Sequence, residues 1–269
     1  MLNLKEVQEL EFQILLEIKK VCEIYDINYS LYCGTLLGAI RHKDFIPWDD
    51  DIDISMLKED YDKFQQVVKE NAPFPDYIDV QFPGDENYQY PYIKVVDTRT
   101  VVKDEFEDNF ESGVWVDVFP MDYVLDDAVE NEKIIKKSYK YQRWIFRMTM
   151  HKDCFNGLQK YLVIGLRKIL KIFNIDYKKY VRNLLKYRDL PKSNTVGLIV
   201  WVNGDKEIGP IEWFSEFVEC EFRGVKFPII KYYDEFLKKV YGDYMQLPPE
   251  NERVSHCVKA YYKDGYDEK

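Results

Sequence analysis

The chain has 269 residues, 46% hydrophobic and 32% charged, which is enough apolar mass for one large domain or a domain with a helical appendage and excludes a disordered chain. A formal net charge of −10 argues against sequence-independent nucleic-acid binding, so no nucleic-acid partner is expected. Residues 2–23 mix Lys and Glu where a signal peptide needs an apolar core, and no apolar run approaches the roughly 20 residues of a spanning helix, so a cytoplasmic chain is expected.

Leu4, Val7, Leu10, Ile14, Leu15, Ile18, Val21, Cys22 and Tyr25 recur at helical spacing and predict an amphipathic first helix. A short β-prone run follows over 29–33, then Gly34-Thr35 opens a short helix over 36–41. Residues 42–48 form a loop stopped by Pro47. Asp51-Ile52-Asp53-Ile54-Ser55 alternates carboxylate and aliphatic, the period of a strand with one wet face and one buried face. Residues 58–70 read as helix. The stretch 77–119 is strand-rich, with Val114-Trp115-Val116-Asp117-Val118-Phe119 alternating before Pro120. Residues 126–189 are predominantly helical and basic: 131–192 hold 17 Lys or Arg against 4 Asp or Glu, a balance of +13 that leaves −23 for the remainder. Beyond Pro191 come short strands and loops, a helix over 232–241 and a tail carrying Arg253 and His256. The expected organisation is a catalytic core over 1–125, a basic helical segment over 126–192 and a C-terminal part over 193–269 that completes the catalytic domain.

Three pieces carry chemistry. Gly34-Thr35, at a strand-to-helix turn, leaves backbone N–H groups free to hold a phosphate, although any such turn can contain this pair. On the next strand Asp49, Asp51 and Asp53 share one face, with Asp50, Ile52 and Ile54 on the other. Neighbouring carboxylates repel unless a cation stands between them, and hard divalent ions take oxygen ligands of this type. Asp117, centred in an apolar strand, is either paired with a base or a metal ligand. If separate strands deliver Asp51, Asp53 and Asp117 to one place, they form a triad suited to in-line phosphoryl displacement.

The run Gly34-Thr35-Leu36-Leu37-Gly38-Ala39-Ile40-Arg41-His42-Lys43-Asp44-Phe45-Ile46-Pro47-Trp48-Asp49-Asp50-Asp51-Ile52-Asp53-Ile54 resembles the signature of the LicD family. These are bacterial phosphocholine transferases, similar in their catalytic domain to the animal fukutin-related ribitol-phosphate transferases. The resemblance continues through 115–122 and the C-terminal Tyr241-Gly242-Asp243-Tyr244-Met245 and Leu247-Pro248-Pro249, and is weakest in the basic segment. It implies an α/β (α+β) nucleotidyltransferase-like fold, a mixed sheet with flanking helices and a basic helical insertion. It also implies Mg²⁺ or Mn²⁺ dependence and transfer of phosphocholine or a similar phospho-alcohol from a CDP-linked donor such as CDP-choline. The acceptor would be a sugar hydroxyl of a cell-surface glycan precursor: teichoic acid, capsule or lipopolysaccharide. The resemblance places the glycine–hydroxyl turn on Gly34 and Thr35, the paired aspartates on Asp51 and Asp53, a further carboxylate on Asp49 and the third on Asp117. Asp51, Asp53 and Asp117 are thus the catalytic candidates and, with Asp49, the metal ligands. The cysteine cluster that binds zinc in the fukutin-related enzymes has no counterpart among Cys22, Cys33, Cys154, Cys220 and Cys257, so no zinc is expected.

Arg41, His42 and Lys43 lie between the turn and the acidic strand, where cations would neutralise a diphosphate; a solvated loop accounts for them equally well. Lys94 and Arg99 are further donor-binding candidates, with strand-edge charges as the alternative, and Arg253 and His256 are candidates to close over the site. Trp48, Trp115, Tyr88, Tyr90 and Tyr92 offer aromatic faces for a choline head group. The basic segment interleaves Lys and Arg with apolar residues. It is either a helix pair docked on the acidic remainder or a peripheral contact with anionic lipid at the inner face of the membrane, which would suit a lipid-linked acceptor. A second enzymatic reading stays open, a nucleotidyltransferase that moves the nucleotide onto a small-molecule or sugar hydroxyl; a glycosyltransferase using Asp51-Ile52-Asp53 is a third, against which the upstream Gly34-Thr35 turn argues.

Overall fold

Asn3 starts the first helix. Its side chain accepts from the Glu6 N–H at 3.1 Å while the Glu6 carboxylate accepts from the Asn3 N–H at 2.6 Å, so two otherwise orphaned donors are satisfied reciprocally. The helix α1, Leu4–Tyr25, buries Val7, Leu10, Ile14, Leu15, Ile18, Val21 and Cys22, and ends where Asp26 turns left-handed with φ +53°. Each such apolar side chain contributes about 1.5–3 kcal/mol when fully buried, so packing holds the helix in place. A computed structural model of the chain describes residues 1–103, 106, 112–253 and 259–266. His256 and Cys257 lie outside the described residues.

The sheet is built from β1 (Ser30–Leu31), β2 (Ile52–Leu57), β3 (Ile78–Gln81), β4 (Ile93–Lys103), β5 (Ser112–Tyr123), β6 (Thr195–Gly197), β7 (Ile208–Pro210) and β10 (Lys259–Tyr262). Its order is β1-β2-β5-β4-β10, with β3 also on β4, β6 on β5 and β7 on β6. The β2–β5 pair is parallel and the others antiparallel, so the sheet is mixed, as expected for the fold class. Ile52, Ile54, Ile93, Val95, Val116 and Val118 are fully buried on one face, beneath α1 and α3 (Lys58–Asn71). A hairpin of β8 (Phe217–Phe222) and β9 (Val225–Ile230) turns through Arg223 and Gly224, both at positive φ, the geometry of a two-residue hairpin turn.

One boundary differs from the reading of the sequence. The strand β5 runs through Pro120 to Tyr123. Its pairing with β4 stops at Val118, so Pro120 sits where no β4 partner needs its missing N–H. The strand β4 continues through Arg99 to Lys103 across a register shift between Asp97 and Val102. Gly113 permits this, because a Cβ there would stand 2.0 Å from the Asp97 carbonyl oxygen.

The basic segment forms α4 (Ala128–Thr149), α5 (Leu158–Ile172) and α6 (Tyr177–Leu185). Asp127 and Asp176 cap α4 and α6 with side-chain acceptors. These two helices share a small cluster of Ile145, Val181 and Leu184, with Trp144 stacked on Tyr180 at 5.6 Å. Arg188, just past α6, reaches the fully buried Asp122 of β5 at 3.2 Å and Asp62 of α3 at 2.8 Å, fastening the segment to the sheet.

Candidate active site

Register makes the centre of the site. Asp53 on β2 stands directly opposite Asp117 on β5, and Asp117 directly opposite Lys94 on β4, so three ionisable side chains lie in one row across three neighbouring strands. The apolar partners of these residues fill the other face, as the period of two requires. Lys94 Nζ is 3.1 Å from Asp117 Oδ1, both side chains nearly buried, and lies 3.8 Å from the Trp115 ring centroid and 4.5 Å from that of Tyr90. An ammonium in that pocket is held by a carboxylate and two π faces together.

The helix α2, Cys33–Arg41, brings its N-terminus to this row. Tyr32 donates its N–H to the Asp53 carbonyl at 2.9 Å, and Asp53 donates its N–H to the Thr35 hydroxyl at 2.8 Å. Thr35 thus clamps α2 to the start of β2. The turn itself is made by Cys33, at φ +43°, so Gly34 and Thr35 already belong to the first helical turn. A Cβ on Gly34 would meet Asp49 Oδ2 at 2.7 Å, so glycine lets the Asp49 carboxylate approach the helix N-terminus, where the dipole favours negative charge.

Burial, then Asp51, Asp117 and Asp49, push the Asp53 carboxyl well above the usual range, with the Lys94 ammonium pulling the other way. Glu11 of α1 behaves alike: it is fully buried, and burial followed by Asp51, Asp50, Asp49 and Asp117 pushes its carboxyl well up. Gln8, one turn earlier, donates to the Asp49 carbonyl at 2.8 Å. The donors gathered here are all carboxylate oxygens, the type that hard divalent cations bind, and such a cation would relieve their repulsion. Among the described residues, however, no group of three or more His, Cys, Asp and Glu side chains is close enough to hold a metal ion. In this arrangement the Lys94 ammonium stands against Asp117.

The remaining candidates divide. Arg41 donates to the Tyr244 carbonyl at 2.8 Å, and burial followed by the charge of Arg253 lowers its pKa. Arg253 in turn lies 5.2 Å over the Trp48 ring, which precedes Asp49 in the chain. Lys43 is exposed, at φ +56°, and its carbonyl accepts the Arg223 N–H at 2.9 Å; its charge acts on Cys220 of β8, and the structure does not bring it to the carboxylates. Arg99 is also held elsewhere, forked onto the buried Asp97 at 2.6 Å and stacked 4.1 Å over Tyr77. His256 is outside the described residues. Of the aromatic candidates, Tyr88, Tyr90 and Tyr92 pack in succession, and Trp201 joins them at 5.3 Å from Tyr90.

Reasoning from sequence missed Glu11, Gln8, Trp201 and Glu207. Glu11 was detectable, since a charge four residues after Val7 and seven before Ile18 lies on the apolar stripe of α1. Glu207, in the loop between β6 and β7, gives no such signal. It is buried, with Oε1 3.7 Å from Cys33 Sγ, and burial raises its carboxyl to about 7.

The profile of a family described as LicD/FKTN/FKRP, nucleotidyltransferase domain, matches residues 26–167, more than half of the chain. The chain belongs to the LicD family. Along 97% of its length it is 32% identical to the lipopolysaccharide cholinephosphotransferase LicD of Haemophilus influenzae, covering 98% of that protein. A stretch of 47 residues, 18% of this chain and 10% of the other, is 45% identical to the human ribitol 5-phosphate transferase FKRP. An uncharacterised protein of Rickettsia typhi matches at 30% identity over 48% of this chain and 38% of its own. The protein is therefore an enzyme, a transferase of the LicD type.

Proposed function

We propose that the enzyme moves phosphocholine, or a closely similar phospho-alcohol, from a CDP-linked donor to a sugar hydroxyl of a cell-surface glycan precursor. The observation that carries the reading is the row Asp53, Asp117 and Lys94 at the N-terminus of α2, in a chain similar along nearly its whole length to a lipopolysaccharide cholinephosphotransferase. Lipopolysaccharide, teichoic acid and capsule precursors are the acceptor classes that fit.

The acceptor oxygen attacks the phosphorus that bears the alcohol, an O–P bond forms, and the bridging P–O bond to the cytidine monophosphate breaks. The hydroxyl proton passes to Asp117, whose charge Lys94 supports from 3.1 Å. Arg253, over Trp48, and Arg41, whose charge it meets, offset the charge of the diphosphate. The N–H groups of the first turn of α2 bind a phosphate oxygen. Asp51 and Asp53 are the pair that would hold Mg²⁺ or Mn²⁺ once the donor's phosphate oxygens are present, and the ion would supply neutralisation of the diphosphate as charge shifts toward the leaving group. Positioning and charge compensation account for the catalysis, as is general for phosphoryl transfer.

The test is incubation of the purified enzyme with CDP-choline, a divalent cation and glycan acceptors, with Asp51→Ala and Asp53→Ala alongside. Release of cytidine monophosphate with a phospho-alcohol on the acceptor, lost in both variants, is expected. A nucleotide on the acceptor would replace this reading with nucleotidyl transfer, and full activity in both variants would remove the assigned site.

A further inference from the structure

The helix α5 carries a face that nothing in the fold covers. At about 100° per residue, Leu158, Tyr161, Leu162, Ile169 and Ile172 fall within an arc of about 120°. These five and Phe173, which follows the helix, are 53–77% exposed. The opposite side is the docked one: Val163 and Leu170 are buried, and Arg167 donates to the carbonyls of Arg147, at 2.8 Å, and Met150 at the end of α4. The arc therefore points outward by construction. Six large apolar side chains gathered on one exposed helix face exceed the scattered exposure ordinary for a soluble surface.

Charge indicates what covers it. The sequence of α5, LQKYLVIGLRKILKI, holds four cations and no acid, and Lys168 and Lys171 are exposed beside the apolar arc. The segment around it is the basic part of an otherwise acidic chain. An apolar stripe bordered by lysines matches the boundary between acyl chains and anionic head groups. Among the described residues no helix is long and apolar enough to cross a membrane, so the contact is parallel to the surface. At the α4–α5 corner a cavity of about 300 Å³ is lined by Arg143, Phe146, Arg147 and Met150. Phe146 is 5.4 Å from Trp201, which is 5.3 Å from Tyr90, the ring beneath Lys94. The helix α4, on which α5 docks through Arg167, is thus linked to the ring beneath Lys94 by a short chain of aromatic contacts.

We propose that α5 lies on an anionic lipid bilayer, its apolar face in the interface and Lys168 and Lys171 against the head groups. A bilayer-bound enzyme has the lipid-borne form of a glycan precursor as its acceptor, which deepens the transfer reading and, for that consequence, rests on it. The membrane contact itself rests on α5 alone.

The experiment is co-sedimentation of the full chain with vesicles of mixed phosphatidylglycerol and phosphatidylcholine, and with phosphatidylcholine alone, at low and high salt. Neither donor nor acceptor is present, so failure here leaves the transfer reading standing. Leu162→Glu/Ile169→Glu and Lys168→Glu/Lys171→Glu change exposed positions only, and circular dichroism melts check that they fold. Val129→Glu, at an exposed apolar site on α4, is the control. Expected is salt-sensitive binding to the anionic vesicles, reduced about tenfold or more by each double variant and unchanged by the control. No binding to anionic vesicles at low salt, equal binding by all variants, or a solution dimer that Leu162→Glu/Ile169→Glu dissociates would each overturn the proposal, the last by making a second copy the occupant.

Discussion

Asp53→Asn is expected to stabilise the metal-free enzyme while abolishing transfer. Asp53 stands across adjacent strands from Asp117, and Asp51 and Asp49 also act on it. A like-charge pair at ~5.5 Å and an effective dielectric near 20 costs about 3 kcal/mol, and Lys94, one strand further at ~10 Å, returns about half of that. Adding the second and third carboxylates and allowing for proton uptake, the neutral variant gains about 1–3 kcal/mol in unfolding free energy at pH 8. The sign follows from linkage. A carboxyl whose folded pKa is raised opposes folding above its unfolded pKa, so the wild type gains stability on acidification and Asp53→Asn shows less of that gain. With Mg²⁺ at about 100 times its dissociation constant, the wild type should rise by about 2.7 kcal/mol and the variant by much less, so the variant's advantage is cancelled or reversed. Urea unfolding in chelator and in Mg²⁺ reads all of this. A variant less stable than wild type in chelator at pH 8, or equal Mg²⁺ stabilisation of both proteins, would refute the electrostatic account.

Arg188→Met leaves the fully buried Asp122 without its cation and should cost about 3–5 kcal/mol at pH 7.5, read by denaturant unfolding. Burial already raises the Asp122 carboxyl to about 6, so this loss should shrink toward pH 5 as the carboxyl takes a proton; an unchanged loss would place the effect in packing instead. Gly113→Ala forces a Cβ to 2.0 Å from the Asp97 carbonyl oxygen and should lower stability by about 3 kcal/mol or more. Gly165→Ala, with nothing within 4 Å, should raise it by about 1 kcal/mol through helix propensity, both measured by thermal melting. Gly34→Ala should move the Asp49 carboxylate off the α2 N-terminus, raising the donor KM severalfold with little change in melting temperature.

What the sequence shows and what it hides follow from how local each determinant is. Alternation at Asp51-Ile52-Asp53-Ile54 and at Val116-Asp117-Val118 reports which face a side chain takes, because the strand period is a property of neighbouring residues. It cannot report that Asp53 meets Asp117 and Asp117 meets Lys94, since register is set by the whole sheet. Arg99 and Lys43 illustrate the converse. Both looked like donor cations by proximity in sequence, but a buried Asp97 and the β8–β9 hairpin hold them elsewhere. Gly34-Thr35 marks where a helix starts but reads in the sequence as the turn itself; the turn belongs to the left-handed Cys33, which is not legible because cysteine carries no preference for that conformation. Pro120 read as a strand end, since its effect depends on whether β4 still runs alongside.

The central claim is that the acidic row transfers a phospho-alcohol. Mass spectrometry of a glycan acceptor after incubation with CDP-choline and Mg²⁺ addresses it most directly. The account predicts addition of phosphocholine with release of cytidine monophosphate, absent in Asp53→Asn; a cytidylyl group on the acceptor, or phosphocholine still transferred by Asp53→Asn, would contradict it.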